Sequence, residues 1–185
     1  MTDIRKLSYN EIFSQRPNLD TLKTLKRSPI YALVENIRSM HNVGSIFRSS
    51  DGALLEKLFL TGYTAKPPRK EIDKTALGAT DSVPWDFQRD PLPLINKFKK
   101  NKVQIIVVEH TSASVSYTEA EYQFPLCLVM GNEVDGVSQE IVKQADLAIE
   151  LPMLGLKQSL NVSVAFGIVL YHVLDVYQQL SRVKP

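Results

Sequence analysis

From Ser28-Pro29 onward the chain alternates between short apolar runs and stretches with helical spacing, and this alternation constrains the fold more than any other feature. The runs are Ile30–Glu35, Lys57–Thr61, Val103–Val108, Leu126–Met130 and Leu147–Leu151. Val103–Val108 and Leu126–Met130 are almost free of polar residues, as strands covered on both faces are. Between the runs, Val43–Leu54 repeats apolar residues at helical spacing through Val43, Ile46 and Phe47. Leu94–Lys100, Val137–Ala145 and Gln158–Leu180 do the same, the last through Leu160, Val164, Ile168, Tyr171 and Leu174. Strands alternating with helices predict an α/β fold, a parallel sheet flanked by helices.

Two regions stand outside the alternation. Residues 1–28 read as a short helical extension ahead of a domain spanning 29–185. There Ser8 and Glu11 have the spacing of a capping box, Pro17-Asn18 break the helix, and Asp20 is placed to cap a second one. Tyr63–Pro93 is a long connection carrying Lys66, Arg69, Lys70 and Lys74 among several prolines. A connection of that length predicts a functional or disordered segment.

Composition narrows the function classes. Hydrophobic residues make up 44% of 185 and charged residues 23%, with formal net charge +2. That is too little positive charge for a protein that coats nucleic acid, though local clusters still count. One cysteine, Cys127, rules out a disulfide within the chain and reads as a core thiol. His41, His110 and His172 lack the spacing of metal ligands, so no metal is expected. No apolar stretch is long enough to span a bilayer, and the first residues lack the apolar segment of a secretory signal. A cytoplasmic protein is expected.

Three of the predicted strands end in polar segments: Asn36-Ile37-Arg38-Ser39-Met40-His41-Asn42 running on to Arg48, Gly131-Asn132-Glu133-Val134-Asp135-Gly136, and Pro152 through Ser163. Polar residues at the carboxyl ends of parallel strands are where α/β folds bind ligands, so the three point to one composite site. Asn42 can cap the helix that follows, and Ser45 and Arg48 fall on one face of it. Gly44 within that helix marks a close approach by another backbone or a ligand. Gly131 lets the backbone come near a ligand. Glu133 can either stand alone or pair bidentately with Arg48. Ser159, Asn161 and Ser163 fall in the first turns of the last predicted helix, a polar floor or a simple cap. The segments contain no phosphate loop and no GxGxxG, which weakens a nucleotide-binding oxidoreductase.

Together the three segments resemble the motifs of the SpoU (TrmH-like) RNA ribose 2′-O-methyltransferases of the SPOUT superfamily. The likeness spans Ile30 to Tyr177, and the third motif, Leu-Pro-Met-x-Gly-x-x-x-Ser-Leu-Asn-Val-Ser, is specific. Leu77-Gly78-Ala79-Thr80 with Val83-Pro84-Trp85 is similar to the family's connection after its second strand. The second motif departs from the usual pattern, in which a small residue precedes the glutamate and a glycine follows it. The resemblance implies a SPOUT-type fold with a deep C-terminal trefoil knot, S-adenosylmethionine as cofactor, and a homodimer with its site at the interface. It implies catalytic roles for Arg48, Asn42, Glu133, Ser159 and Asn161. Cofactor contacts fall to Gly131, Leu151, Met153, Ser159, Leu160 and the loop at Glu109. The substrate implied is structured RNA, tRNA ahead of rRNA, and Lys66, Arg69 and Lys70 are candidates for its phosphates. A non-catalytic RNA-binding protein on the same fold is the alternative.

Overall fold

The structure is a computed structural model describing residues 4–183. The outermost residues of both expected segments, 1–3 and 184–185, lie outside it. Two short helices, α1 (Tyr9–Ser14) and α2 (Leu19–Thr24), come first. The capping box forms: Ser8 Oγ accepts from Glu11 N, and Glu11 accepts from Ser8 N at 2.8 Å. The second cap is Asn18, not Asp20. Asn18 Oδ1 accepts from Thr21 N at 2.8 Å, and Asp20 lies inside the first turn. Neither helix buries a residue.

The domain then runs β1 (Ser28–Glu35), α3 (Met40–Gly52), β2 (Leu55–Thr61), α4 (Lys70–Ala76), α5 (Ala79–Ser82), β3 (Trp85–Gln88), α6 (Leu92–Lys100), β4 (Gln104–Val108), β5 (Val115–Ser116), β6 (Leu126–Met130), α7 (Gln139–Val142), β7 (Leu147–Glu150) and α8 (Val162–Val183). The seven strands order as β3-β2-β1-β6-β4-β7-β5, and every pairing is parallel. The predicted parallel sheet is therefore present.

Strand pleating divides the core in two. On one face Ile30, Ala32, Val34, Leu58, Leu60, Leu126 and Leu128 pack under α3 and α8, with Phe47 and Phe166 fully enclosed. On the other, Leu33, Phe59, Ile105, Val107, Cys127 and Val129 pack under Leu94, Ile95 and Phe98 of α6 and Ile141 of α7. Each fully buried Val, Leu, Ile or Phe among them contributes roughly 1.5–3 kcal/mol. Cys127 sits in this second layer, where burial pushes its thiol pKa far up.

Tyr63–Pro93 is ordered structure: α4, α5 and β3. Gly44 explains why α4 packs where it does. A Cβ there would collide with Thr75 Oγ1 and the Ile72 carbonyl, so the close neighbour is the backbone of α4. Thr75 Oγ1 also donates to His41 O at 3.0 Å. The expected helix Val137–Ala145 shrinks to α7. The last helix begins at Val162, leaving Gln158–Asn161 in the loop before it.

Candidate functional site

The carboxyl ends of β6, β4 and β7 converge on one cleft of about 500 Å³. Its walls include Glu109, Gly131, Glu133, Leu151, Met153, Ser159, Leu160 and Asn161. Clefts of this size suit a nucleoside-sized ligand. Val108, Met130, Leu151, Met153, Leu160 and Ala165 supply apolar surface, and Glu109, Ser159 and Asn161 supply polar groups.

Helix α3 is capped by Ser39, whose Oγ accepts from Asn42 N at 3.3 Å, so Asn42 lies inside the first turn rather than at the cap. This leaves its side chain available. Asn42 Nδ2 donates to Glu133 Oε1 at 2.9 Å, and Asn42 Oδ1 accepts from Asn161 Nδ2 at 3.1 Å. Asn161 Oδ1 in turn accepts from Ser163 N at 2.9 Å, capping α8. Glu133 also accepts from the backbone N–H groups of Arg38 and Ser39, at 3.1 and 3.3 Å. One hydrogen-bonded chain thus joins all three polar segments. Partial burial raises the Glu133 pKa. The hydrogen bonds from Arg38, Asn42 and Ser39 together outweigh it and hold the carboxyl below its usual range.

Glu133 sits on a tight turn. Asn132 and Gly136 exchange backbone hydrogen bonds at 2.9 and 3.0 Å, and Gly136 takes the left-handed conformation at φ 69°. Gly131 lines the cleft, and a Cβ there would strike the backbone of Gly136 and Val137, so the glycine also lets the turn close. Two carboxylates fasten the turn's far side. Glu109 accepts from Val137 N at 2.9 Å, and buried Glu35 accepts from Ser138 N at 2.8 Å. Sequence reasoning missed Glu35 and Asn132. A carboxylate ending a wholly apolar strand was the available signal for Glu35.

The wall formed by Pro152–Leu160 is held differently. Among the described residues its single hydrogen bond to the rest of the chain is His110 Nε2 to Gln158 O at 3.0 Å. His110 Nδ1 lies 3.1 Å from Glu150 Oε2. With both ring nitrogens facing acceptors, the protonated ring satisfies both. The Glu150 hydrogen bond raises the His110 pKa most, partial burial opposes it, and the Gln158 carbonyl and the charges of Glu150 and Glu109 add to the rise.

Arg48 is elsewhere. It lines a separate groove with Ser45, Ser49, Lys74, Thr75 and Tyr171, forms no ion pair among the described residues, and does not touch Glu133. Of the expected phosphate contacts, Lys66 Nζ lies 4.5 Å over the Phe87 ring, while Arg69 and Lys70 are exposed where α4 begins. Among the described residues no group of His, Cys, Asp or Glu is placed to hold a metal.

The chain is similar to known RNA methyltransferases. A tRNA (guanosine(18)-2′-O)-methyltransferase of Aquifex aeolicus is 37% identical over 150 residues, which cover 79% of this chain and 69% of that one. The enzyme of the same name from Escherichia coli is 29% identical over 147 residues, 79% of this chain and 63% of its own length. The crystal structure of the A. aeolicus TrmH/SpoU tRNA modifying enzyme superposes with a TM-score of 0.80 at 32% identity, covering 88% of this chain and 84% of that one. An AdoMet-bound rRNA methyltransferase from Sinorhizobium meliloti superposes with a TM-score of 0.72 at 26% identity, covering 84% and 60%. The sequence profile of the SpoU rRNA Methylase family matches residues 29–171, a span that takes in every strand of the sheet and all three polar segments, and the chain belongs to that family.

Proposed function

We propose that the protein transfers a methyl group from S-adenosylmethionine to a ribose 2′-hydroxyl of structured RNA, with tRNA ahead of rRNA. The observation that carries this is the Glu133–Asn42–Asn161 chain at the wall of a cleft suited to a nucleoside. Relatives named for tRNA and rRNA 2′-O-methylation support the substrate class.

The lining fits the cofactor. Leu151, Met153 and Leu160 offer apolar contact, with Ser159 and the Glu109 loop as polar neighbours. Bound there, the cofactor supplies an electrophilic methyl group on a sulfonium. As the ribose oxygen bonds to that carbon, the methyl–sulfur bond would break to leave the neutral thioether, and the hydroxyl proton would pass to water. Glu133, ionised and already accepting three hydrogen bonds, orders the loops rather than taking the proton. Arg48 carries a guanidinium with donors and no acceptor, so it acts as phosphate anchor and hydroxyl positioner rather than base. Ser159 and Asn161 face the ribose side of the cleft in this reading.

The reading includes a homodimer. Arg48 does not line the cleft of its own chain, and a second copy would bring an arginine to it. It also includes a C-terminal trefoil knot formed by the β6–α8 region, a cytoplasmic location, and a separate extension over residues 1–28, whose described helices bury nothing. Lys66, Arg69 and Lys70 meet RNA phosphates.

The test is methyl transfer from labelled S-adenosylmethionine to total tRNA and to rRNA, with 2′-O-methyl nucleosides mapped by mass spectrometry. Label in tRNA is expected, and guanosine 18 is the first position to inspect. Label in rRNA alone would move the substrate. Without label, and without cofactor binding by calorimetry, the enzyme reading gives way to an RNA-binding one.

A further inference from the structure

Tyr63 follows β2 at the same end of the sheet as the cleft, and it is held in an unusual way. Its side chain is exposed (59% for the residue), yet both ends of the residue are fixed. Asn132 Nδ2 donates to the phenol oxygen at 2.6 Å, and Tyr63 N donates to Asn36 Oδ1 at 3.1 Å. Gly62, before it, takes φ 67°, and Asn36 opposite takes φ 58°. Thr64, after it, is buried and donates to Val34 O. The ring is therefore immobilised in the open, losing the apolar contact that would stabilise it if buried.

Its anchor is informative. Asn132 Nδ2 also donates to Asn36 O at 2.8 Å, and Asn132 Oδ1 accepts from Val134 N and Asp135 N at 2.7 and 2.9 Å. One buried amide thus couples the ring to the turn that carries Glu133. In the segments that follow β1 and the ring, Arg38, Arg69 and Lys70 are exposed and form no ion pair among the described residues. A fixed aromatic face among free cations matches the recognition of unpaired nucleotides, whose bases stack while their phosphates meet positive charge. An apolar protein partner would gain from the ring but would have to strip water from the cations.

We infer that Tyr63 is a stacking platform for an unpaired nucleobase of the RNA substrate, set beside the Glu133 turn by Asn132. This rests on the RNA reading above. It assigns to substrate a ring that does not line the cofactor cleft. It also ties loop recognition to the site, because the residue that fixes the ring shapes the turn holding Glu133.

The experiment compares binding of a tRNA transcript with binding of a blunt RNA duplex of equal length by wild-type protein, Tyr63→Phe and Tyr63→Ala, and measures S-adenosylmethionine affinity for each. Wild-type protein is expected to prefer the tRNA. Tyr63→Ala is expected to weaken tRNA binding about tenfold, with duplex and cofactor binding unchanged. Tyr63→Phe keeps the face but loses the hydrogen bond from Asn132 that fixes it, and is expected to bind tRNA a fewfold more weakly than wild type and more tightly than Tyr63→Ala. Wild-type affinity in Tyr63→Ala overturns the inference. So does equal weakening by Tyr63→Phe, or loss of cofactor affinity in Tyr63→Ala, either of which would make the hydroxyl a structural tie. If the wild-type protein binds neither RNA, the RNA reading itself fails.

Discussion

The cleft and the Arg48 groove draw on similar polar side chains and use them in opposite ways. In the cleft both lining carboxylates are engaged, Glu133 by Arg38, Ser39 and Asn42, and Glu109 by Val137. Such a wall is set before any ligand arrives and costs little reorganisation. In the groove, Arg48 and Lys74 face solvent with no ion pair among the described residues. Cations left that way are suited to a partner that brings its own negative charge. The contrast separates a part of the molecule that is complete in one chain from a part that waits for something to arrive.

Breaking the contrast from the groove side should have the largest effect. Arg48→Ala is expected to lower methyl transfer on the order of 10²-fold or more, as a lost positioning contact does, with S-adenosylmethionine affinity unchanged by calorimetry. Equal loss of cofactor affinity would show that groove and cleft are not separate. On the cleft side, Gly131→Val places a side chain against Gly136 and Val137. Overpacking of this kind costs about 1–3 kcal/mol, so a lower melting temperature and a loss of cofactor binding should appear together. A stable variant with full affinity would refute the tight turn.

A smaller effect sharpens the picture of the cleft's loosest wall. The folded pKa of His110 is raised, so its bridge to Gln158 is fully present below the unfolded value near ~6.5 and is lost as pH rises through the higher folded value. Cofactor affinity should therefore fall with rising pH, by a fewfold. His110→Ala should flatten that profile, and an unchanged profile would put the dependence on another group. Smallest of all, Ser8→Ala removes a cap worth about 1 kcal/mol to its helix, yet α1 buries nothing. Helicity of the amino-terminal segment should drop while the main unfolding transition stays in place.

The parts of the fold legible in the sequence were those where burial writes a pattern. Leu126–Met130 is buried at every position, and its bounds follow from its composition alone. Trp85–Gln88 escaped notice because an edge strand of four residues, three half-buried and one exposed, leaves no such run. Helix α4 buries only Ile72 and Ala76 and has no side-chain cap, so its period is nearly silent. Ser39 and Asn42 are both good caps, and only the path of the chain decides between them. Gln158–Asn161 continues the spacing of α8, but Asn161 turns its side chain to the helix end and stops it there. For the site, residue types placed Asn42, Glu133 and Asn161 in one neighbourhood. A pairing of Glu133 with Arg48 was equally well written in residue types, and the backbone directs the two side chains to different clefts.

The hydrogen bonds that define the cleft also join residues very far apart in the chain: Arg38 with Glu133 across 95 positions, Glu35 with Ser138 across 103, Asn42 with Asn161 across 119. Contacts of such separation form late and slowly, after the loops between them have closed. As the chain is synthesised, β1 and β2 can pair long before Asn161 exists, and Asn42 stays without its partner throughout that time. The same holds for the sheet, in which Ile30 of β1 pairs with Leu126 of β6, so shape and site both depend on segments that are made late.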